Sequence, residues 1–315
     1  MKRVLAVGEP IAVLRTVHIG GIDTTSDLVV GSGGAECNVA IGLSRLGVAT
    51  SVLGRVGDDA LGRRLLRDLR SESVTPLITV DPNRRTALLI KETPRAGQTR
   101  VSYYRHDSAG ARLHPDDLVP GLVAGFDLVH TTGITSQLSD DARGATRRLA
   151  QQATEHGVPF AFDVNHRSKL ARSAAREDYM ELASQATVLF AGIDEAEMLV
   201  GVRYRDPLDL ANALGTLVDG DVVLKLGAKG AILLTRDGQS LSAQPPDVEV
   251  VDTVGAGDAL AAGYLSALLE GADPLARLHR GLIAGALACS VPGDWEGVPR
   301  IEDLRTAAAV DPVDR

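Results

Sequence analysis

A glycine-rich turn that ends in an aspartate is the part of the sequence best suited to chemistry. Residues 252–258 read DTVGAGD. They follow the strand-like run Val248–Val251 and precede an alanine-rich stretch with helical spacing. Glycines at 255 and 257 leave backbone N–H groups unobstructed, and the helix dipole favours an anion there. With Asp258 as a base beside a held phosphate, the segment is suited to phosphoryl transfer. The structural alternative is a glycine turn whose aspartate caps a helix.

A second glycine turn lies near the N-terminus. The pair Gly33-Gly34 precedes an amphipathic stretch, and Asn38 falls in the first turn of the predicted helix. A backbone without Cβ atoms at this point allows a ligand to approach closely. The alternative interpretation, a tight connection between strand and helix, is equally compatible with the spacing.

Two arginines favour an acidic ligand. Tyr103 and Arg105 share one face of a predicted strand, because side chains alternate along a strand. Arg167 follows the predicted strand Pro159–Val164 at its carboxyl end, where ligands enter open α/β sheets. A guanidinium group can hold a carboxylate through two hydrogen bonds. The alternatives are a solvated Arg105 and an Arg167 that contacts phosphate.

Several enzyme classes are excluded by missing motifs. The chain has no GxxxxGK[ST] phosphate loop and no His-Arg-Asp loop of protein kinases. Residue 260 is leucine, so the glycine turn lacks the spacing of a dinucleotide fingerprint. The seven histidines are scattered and form no HExxH. A sugar- or nucleotide-binding regulator without activity stays open as an alternative of another class, although a binder needs no base at Asp258.

Composition indicates an ordinary globular protein. Hydrophobic residues make up 44% of the 315 and charged residues 23%. The net charge of −8 argues against nucleic-acid or membrane-surface binding. The two cysteines, Cys37 and Cys289, form no CxxC, which is typical of a reducing compartment. We therefore expect a cytoplasmic protein with neither a nucleic-acid nor a membrane partner.

Strand-like runs alternate with helical patterns along most of the chain. This alternation predicts a doubly wound α/β fold with a mostly parallel sheet covered on both faces. Ile11–Val30 and Arg85–His106 depart from it, and the second resembles a hairpin around Pro94–Gly97. We expect these two segments to form a small antiparallel β lid. The predicted boundaries are 1–10, 31–84 and 107–315 for the α/β domain, and 11–30 and 85–106 for the lid.

The chain resembles the ribokinase/PfkB family of sugar kinases over nearly its whole length. The resemblance rests on the two glycine turns and on GRVGDD at 54–59, followed by Gly62. Within the family it is most similar to 2-keto-3-deoxygluconate kinases, through segments 103–110, 133–135 and 163–167. The resemblance implies a ribokinase-like fold and ATP-dependent phosphorylation of an acidic sugar, giving 2-keto-3-deoxy-6-phosphogluconate. A kinase of fructose, ribose or a nucleoside is the alternative within the same class.

The resemblance also implies roles for individual residues. Asp258 would take the proton of the sugar hydroxyl, and the amides of Gly255, Ala256 and Gly257 would form an anion hole. Substrate contacts fall on Gly34, Asn38, Tyr103, Arg105, Ile134, Arg167 and Asp294. Nucleotide contacts fall on Asn165, Lys225, Gly227, Lys229 and Gly230.

Cofactors and partners follow from the same resemblance. ATP would come with Mg²⁺, indirectly placed by Glu195, and Asp252 with Thr253 would hold a monovalent cation such as K⁺. The sequence departs from the family at Gly192, where many members have Asn, and at Leu89, where related keto-acid kinases have Tyr. His166 replaces a more usual aromatic residue. Lid strands of relatives often pair across a dimer, which predicts a homo-oligomer through the lid.

Overall fold

Short apolar runs form the strands, and amphipathic stretches between them form the helices. A computed structural model describes residues 1–95 and 98–307. The strands are β1 Arg3–Val7, β2 Ile11–Thr16, β3 Leu28–Gly33, β4 Ala49–Gly57, β5 Thr75–Asp81, β6 Ala87–Arg95, β7 Gln98–Tyr104, β8 Leu128–Thr132, β9 Phe160–Asp163, β10 Val188–Gly192, β11 Asp221–Lys225, β12 Ala231–Leu234 and β13 Ser240–Ala243. The helices are α1 Ala35–Arg45, α2 Ala60–Ser71, α3 Gly133–Gln137, α4 Asp140–His156, α5 Ala175–Ala183, α6 Ile193–Val200, α7 Pro207–Gly215, α8 Ala256–Leu269, α9 Pro274–Ala288 and α10 Ile301–Ala307. Short 3-10 turns lie at Gly110–Arg112, Pro115–Asp117, Val123–Gly125 and Gly227–Lys229.

The large sheet has the strand order β13-β12-β11-β10-β9-β8-β1-β4-β5. The pairs from β11 to β5 are parallel, and each of their connections contains at least one helix. The two pairs at the β13 edge are antiparallel. Only the short 3-10 turn Gly227–Lys229 lies between β11 and β12. A connection of that length permits a hairpin but no parallel crossover.

Both faces of this sheet are covered, because alternate side chains of each strand enter different cores. In β1, Leu5 packs with the core cluster that includes α4, α5 and α7, whereas Val4 packs with the cluster that includes α1, α8 and α9. In β10, Leu189 packs with the first of these clusters and Phe190 with the second. The predicted doubly wound α/β fold is therefore confirmed.

The small sheet has the order β3-β2-β6-β7. The two sequence-adjacent pairs are antiparallel, and the inner strands β2 and β6 pair in parallel. The predicted hairpin forms as β6 and β7, and Ala96 and Gly97 lie outside the described residues. An apolar cluster of Ile11, Val13 and Leu89 fills one face of this sheet.

The expected strand at Val248–Val251 is wrong. The segment pairs with no strand in the described part of the chain, and Val250 and Val251 are more than half exposed. The Val251 amide instead donates to the Cys289 carbonyl at 2.8 Å, where α9 ends. A β-branched run therefore became an irregular segment because it runs along a helix end instead of a neighbouring strand. Within residues 1–95 and 98–307, no helix is long and apolar enough to cross a bilayer.

Candidate active site

The carboxyl ends of the parallel strands bring polar side chains to one edge of the large sheet. Asp163 is the last residue of β9, and Lys225 is the last residue of β11. Between them, β10 ends at Gly192, immediately before α6. Loops at this edge are the usual ligand-binding region of open α/β sheets, so this is where a site is expected.

Asp258 lies in the first turn of α8 and is held from two sides. The Asn38 Nδ2 donates to Asp258 Oδ2 at 2.8 Å, and the Asn165 Nδ2 approaches Oδ1 at 3.4 Å. Burial raises the pKa of Asp258 to about 7, and the negative charge of Asp163 acts in the same direction. The carboxyl is therefore fixed in position and titrates close to neutrality, as expected of a general base.

The turn before Asp258 is open to an anion. Gly255 is the N-cap of α8 with φ 79°, and a Cβ there would lie 1.9 Å from the Asp294 carbonyl oxygen. Only glycine fits that position. Among the described residues, no side chain caps the N-terminus of α8. The first amides of a helix have no acceptor within the helix, so that of Gly257 is available to a phosphoryl group. The Ala256 amide donates to the Thr253 carbonyl within the turn, through a long hydrogen bond of 3.4 Å.

A partly buried ammonium lies beside this turn. The Lys225 Nζ is 2.7 Å from each carboxylate oxygen of Asp163. Burial alone would lower the pKa of Lys225, but Asp163 and Glu195 raise it above its ordinary value. A Cβ on Gly257 would lie 3.7 Å from the same Nζ. A permanent positive charge therefore faces the anion-binding turn.

A cavity of about 630 Å³ lies at this ammonium. Two predicted nucleotide contacts, Asn165 and Lys225, line it together with Arg167 and Glu195. The other three predicted contacts lie outside this cavity, in or beside the turn between β11 and β12: Gly227, Lys229 and Gly230.

Glu195 uses both carboxylate oxygens within the protein. Oε1 accepts from the His166 amide at 2.8 Å, and Oε2 accepts from the Gly192 amide at 2.6 Å. Within the described parts of the chain, no three His, Cys, Asp or Glu side chains gather to hold a metal ion. A Mg²⁺ ion carried mainly by phosphate oxygens fits this arrangement, since Mg²⁺ commonly binds through substrate phosphates. The indirect role expected of Glu195 stays a prediction.

Near Asp258 and the glycine turns, the buried acceptors Asn38 Oδ1 and Asp294 Oδ1 have no hydrogen-bond partner among the described residues, although the Lys91 ammonium lies 3.5 Å from the latter. Asn38 already contacts Asp258, and a Cβ on Gly33 would lie 2.5 Å from Asp294 Oδ2. Burial raises the pKa of Asp294 to about 6. Buried acceptors are normally satisfied, and hydroxyl donors of a ligand would satisfy these two.

The glycine at the start of α1 is also required by geometry. Gly34 has φ 113°, and a Cβ there would lie 2.3 Å from the Glu9 carbonyl oxygen. This close approach brings the end of β1 and the beginning of α1 together. Ile134, another predicted substrate contact, is buried in α3, where its amide donates to Thr132 Oγ1 at 3.2 Å.

The two predicted arginines do not share a cavity. Arg105 donates through Nε to Glu9 Oε2 at 2.7 Å, and its guanidinium lies 4.9 Å from the centre of the Tyr103 ring. Arg105 and Tyr103 line a separate cavity of about 880 Å³. Arg167 is exposed and donates to the His166 carbonyl at 3.1 Å. The expected convergence on one carboxylate is not present in this structure.

Several charged residues around the site were not predicted. Glu9 is 1% exposed and also accepts from Ser108 Oγ at 2.9 Å. Glu36 is fully buried, with a pKa raised by burial, and the hydroxyls of Thr132 and Thr135 donate to it. In the sequence, the signal for these two glutamates was a charged residue next to an apolar run.

Asp252 does not fit the expected cation role. The Lys91 ammonium contacts its carboxylate directly and lies 3.1 Å from the Gly293 carbonyl oxygen. The carboxylate that was predicted to hold K⁺ is therefore already neutralised by a side chain of β6.

Comparisons with known proteins identify the family of the chain. The model of the family described as pfkB family carbohydrate kinase matches residues 1–301. The chain is 34% identical to a 2-dehydro-3-deoxygluconokinase of Thermoproteus tenax, over 95% of this chain and 92% of the relative. It is 35% identical to a 2-dehydro-3-deoxygalactonokinase of Haloferax volcanii, over 87% and 86%. A solved Vibrio cholerae fructokinase, described with bound fructose, ADP and potassium ion, superposes with a TM-score of 0.84 at 25% identity, over 97% and 98%.

Proposed function

The chain belongs to the pfkB family of carbohydrate kinases, which transfer phosphate to a sugar hydroxyl, and we propose that its sugar is a 2-keto-3-deoxy acid of the 2-keto-3-deoxygluconate type. Two of the similar relatives carry names for kinases of such acids. The phosphoryl donor in this proposal is ATP, with Mg²⁺ neutralising charge on its phosphates.

The observation that carries the catalytic assignment is the position of Asp258. Its buried carboxyl, with a pKa of about 7, stands in the same helical turn as the amides of Ala256 and Gly257. Asp258 accepts the proton of the attacking hydroxyl, while those amides bind the oxygens of the transferring phosphoryl group. Both groups act on the same reaction centre, as phosphoryl transfer requires.

The neighbouring side chains orient the two substrates. Asn38 Oδ1 and Asp294 Oδ1 accept hydrogen bonds from sugar hydroxyls, and the Lys225 ammonium binds the phosphate that faces the glycine turn. Arg167 borders the same cavity as Lys225, where it meets either the sugar carboxylate or a phosphate. The paired Arg105 favours the runner-up substrate, a neutral sugar, because Glu9 already takes its charge.

The test is ATP-dependent ADP release with a panel of acceptors: 2-keto-3-deoxygluconate, 2-keto-3-deoxygalactonate, fructose, ribose and adenosine. We expect the highest kcat/KM for a keto-acid. Preference for fructose or ribose would contradict the acidic substrate and leave the kinase. Nucleotide binding without turnover of any acceptor would favour the regulator.

A matched pair of variants separates the two roles of Arg167. Arg167→Gln should raise KM for the keto-acid and leave KM for ATP unchanged if the arginine reads the sugar carboxylate. The reverse pattern would assign it to phosphate. Arg148→Gln is the control, because this half-buried arginine lies on α4 outside the cavity and donates to Gln151 of its own helix at 3.5 Å.

A further inference from the structure

Lys91 is a buried charge with no assigned role. It is 2% exposed, although it belongs to a strand of the small sheet. Its ammonium contacts Asp252, lies 3.1 Å from the Gly293 carbonyl oxygen, and lies 3.5 Å from Asp294 Oδ1. A buried charge is tolerated only when it is paired and hydrogen-bonded, and these oxygens supply both.

The oxygens around Lys91 belong to the two segments that support the anion-binding turn. Asp252 Oδ1 accepts from the Val254 amide at 3.1 Å, one residue before Gly255. Asp252 Oδ2 accepts from the Gly293 amide at 3.2 Å. The next carbonyl, that of Asp294, packs directly against Gly255. The ammonium therefore joins both sides of the turn whose amides receive the phosphoryl group.

Carboxylate and carbonyl oxygens around one positive charge are also the donor set of an alkali cation, since hard cations bind oxygen. The ammonium of Lys91 carries the same single charge as K⁺. From this geometry we propose that Lys91 takes the place of a monovalent cation, so that this kinase works without K⁺. Lys91 is then a positioning residue: it acts on catalysis through Asp252 and the 293–294 segment. The inference rests on the proposed kinase function.

The rival interpretation is an ion pair that only attaches the small sheet to the main domain. Both interpretations predict that a variant without the ammonium is impaired. They differ in whether a free cation can replace what was lost. If Lys91 acts by positioning the turn, a free cation that binds the same oxygens should restore activity. If Lys91 only attaches the small sheet, no cation should do so.

The experiment measures kinase activity in potassium, ammonium, sodium and tetramethylammonium chlorides at one ionic strength. The wild-type kcat should be the same in all four salts. Lys91→Ala should lose roughly 10–100-fold of kcat in tetramethylammonium, as other supporting residues of a site do. Potassium or ammonium should restore much of that loss. Lys2→Ala is the control, because Lys2 forms an exposed ion pair with Asp127 at the amino ends of the strands.

Two outcomes would overturn the proposal: strong potassium stimulation of the wild type, or a folded Lys91→Ala protein that no cation rescues. Lys91→Gln serves if the alanine variant does not fold. The melting temperature without substrate is a second readout, and potassium should raise it for the variant but not for the wild type. A protein inactive towards every sugar would refute the proposed function, while the melting temperatures would still decide the role of Lys91.

Discussion

At the scale of single residues, the burial of Asp258 determines how activity depends on pH. Its pKa of about 7 means that the carboxyl is partly protonated at neutrality, in which state it cannot accept a proton. We expect kcat/KM to fall about tenfold for each pH unit below that pKa and to level off above it. A profile that is flat across neutrality would show that Asp258 is not the titrating base.

Asp258→Asn tests the same residue by substitution. The amide can still accept from Asn38 but cannot take a proton, so kcat should fall by roughly 10²–10⁴ with a smaller change in KM. Activity near that of the wild type would contradict the general-base role.

The stability of this variant provides the folding control. Since burial raises the pKa of Asp258, the wild type is stabilised at acid pH, and that contribution is lost as pH rises through about 7. Above this pH, the free energy of unfolding of Asp258→Asn, measured by denaturation, should therefore be at least that of the wild type. A large loss of stability there would mean that lost activity reports unfolding.

At the scale of elements, the segment between α9 and α10 is held by one residue of α1. The Arg45 Nη1 donates to the carbonyls of Trp295 and Val298 at 3.1 Å and 2.6 Å. Its Nε donates to Glu72 Oε2 at 2.8 Å, and its side chain is 8% exposed. Asp294, the proposed sugar contact, directly precedes Trp295. Arg45 therefore supports the position of Asp294 through the backbone of this segment.

We expect Arg45→Met to lower the free energy of unfolding by about 3 kcal/mol, since it removes one partner of a buried ion pair. The KM for the sugar should also rise, because Asp294 loses its support. Urea denaturation and steady-state kinetics measure the two effects. Arg300→Met is the control: this exposed arginine contacts the same Glu72, so its loss should cost under about 1 kcal/mol. Equal costs for both variants would contradict the argument.

The distance along the chain between interacting residues explains which features could be predicted from the sequence. The turns at Gly33-Gly34 and Gly255–Asp258 were found because their glycines, helix start and polar residue lie within a few positions of one another. The contacts of Glu9 with Arg105 and of Lys91 with Asp252 join residues 96 and 161 positions apart. No local pattern encodes such pairs. The wrong strand at Val248–Val251 has a related cause, because a β-branched run does not specify its neighbour.

At the scale of the whole molecule, the small sheet has an apolar surface without a partner among the described residues. Val17 and Ile19 are 43% and 64% exposed, and Leu28 and Val30 of the edge strand β3 are each 37% exposed. Exposed apolar groups on an unpaired edge strand favour association with another sheet. The occupant we predict is the small sheet of a second copy.

Light scattering after gel filtration should therefore give about twice the chain mass of 33.1 kDa. Leu28 and Val30 lie two residues apart on one face of β3, so Leu28→Lys with Val30→Lys places two charges in the contact. This double variant should elute as a monomer, because lysines on an edge strand oppose pairing. Val202→Lys is the control: that residue is 58% exposed outside the small sheet and should leave the mass unchanged. A wild-type protein that stays monomeric at high concentration would contradict pairing through the small sheet.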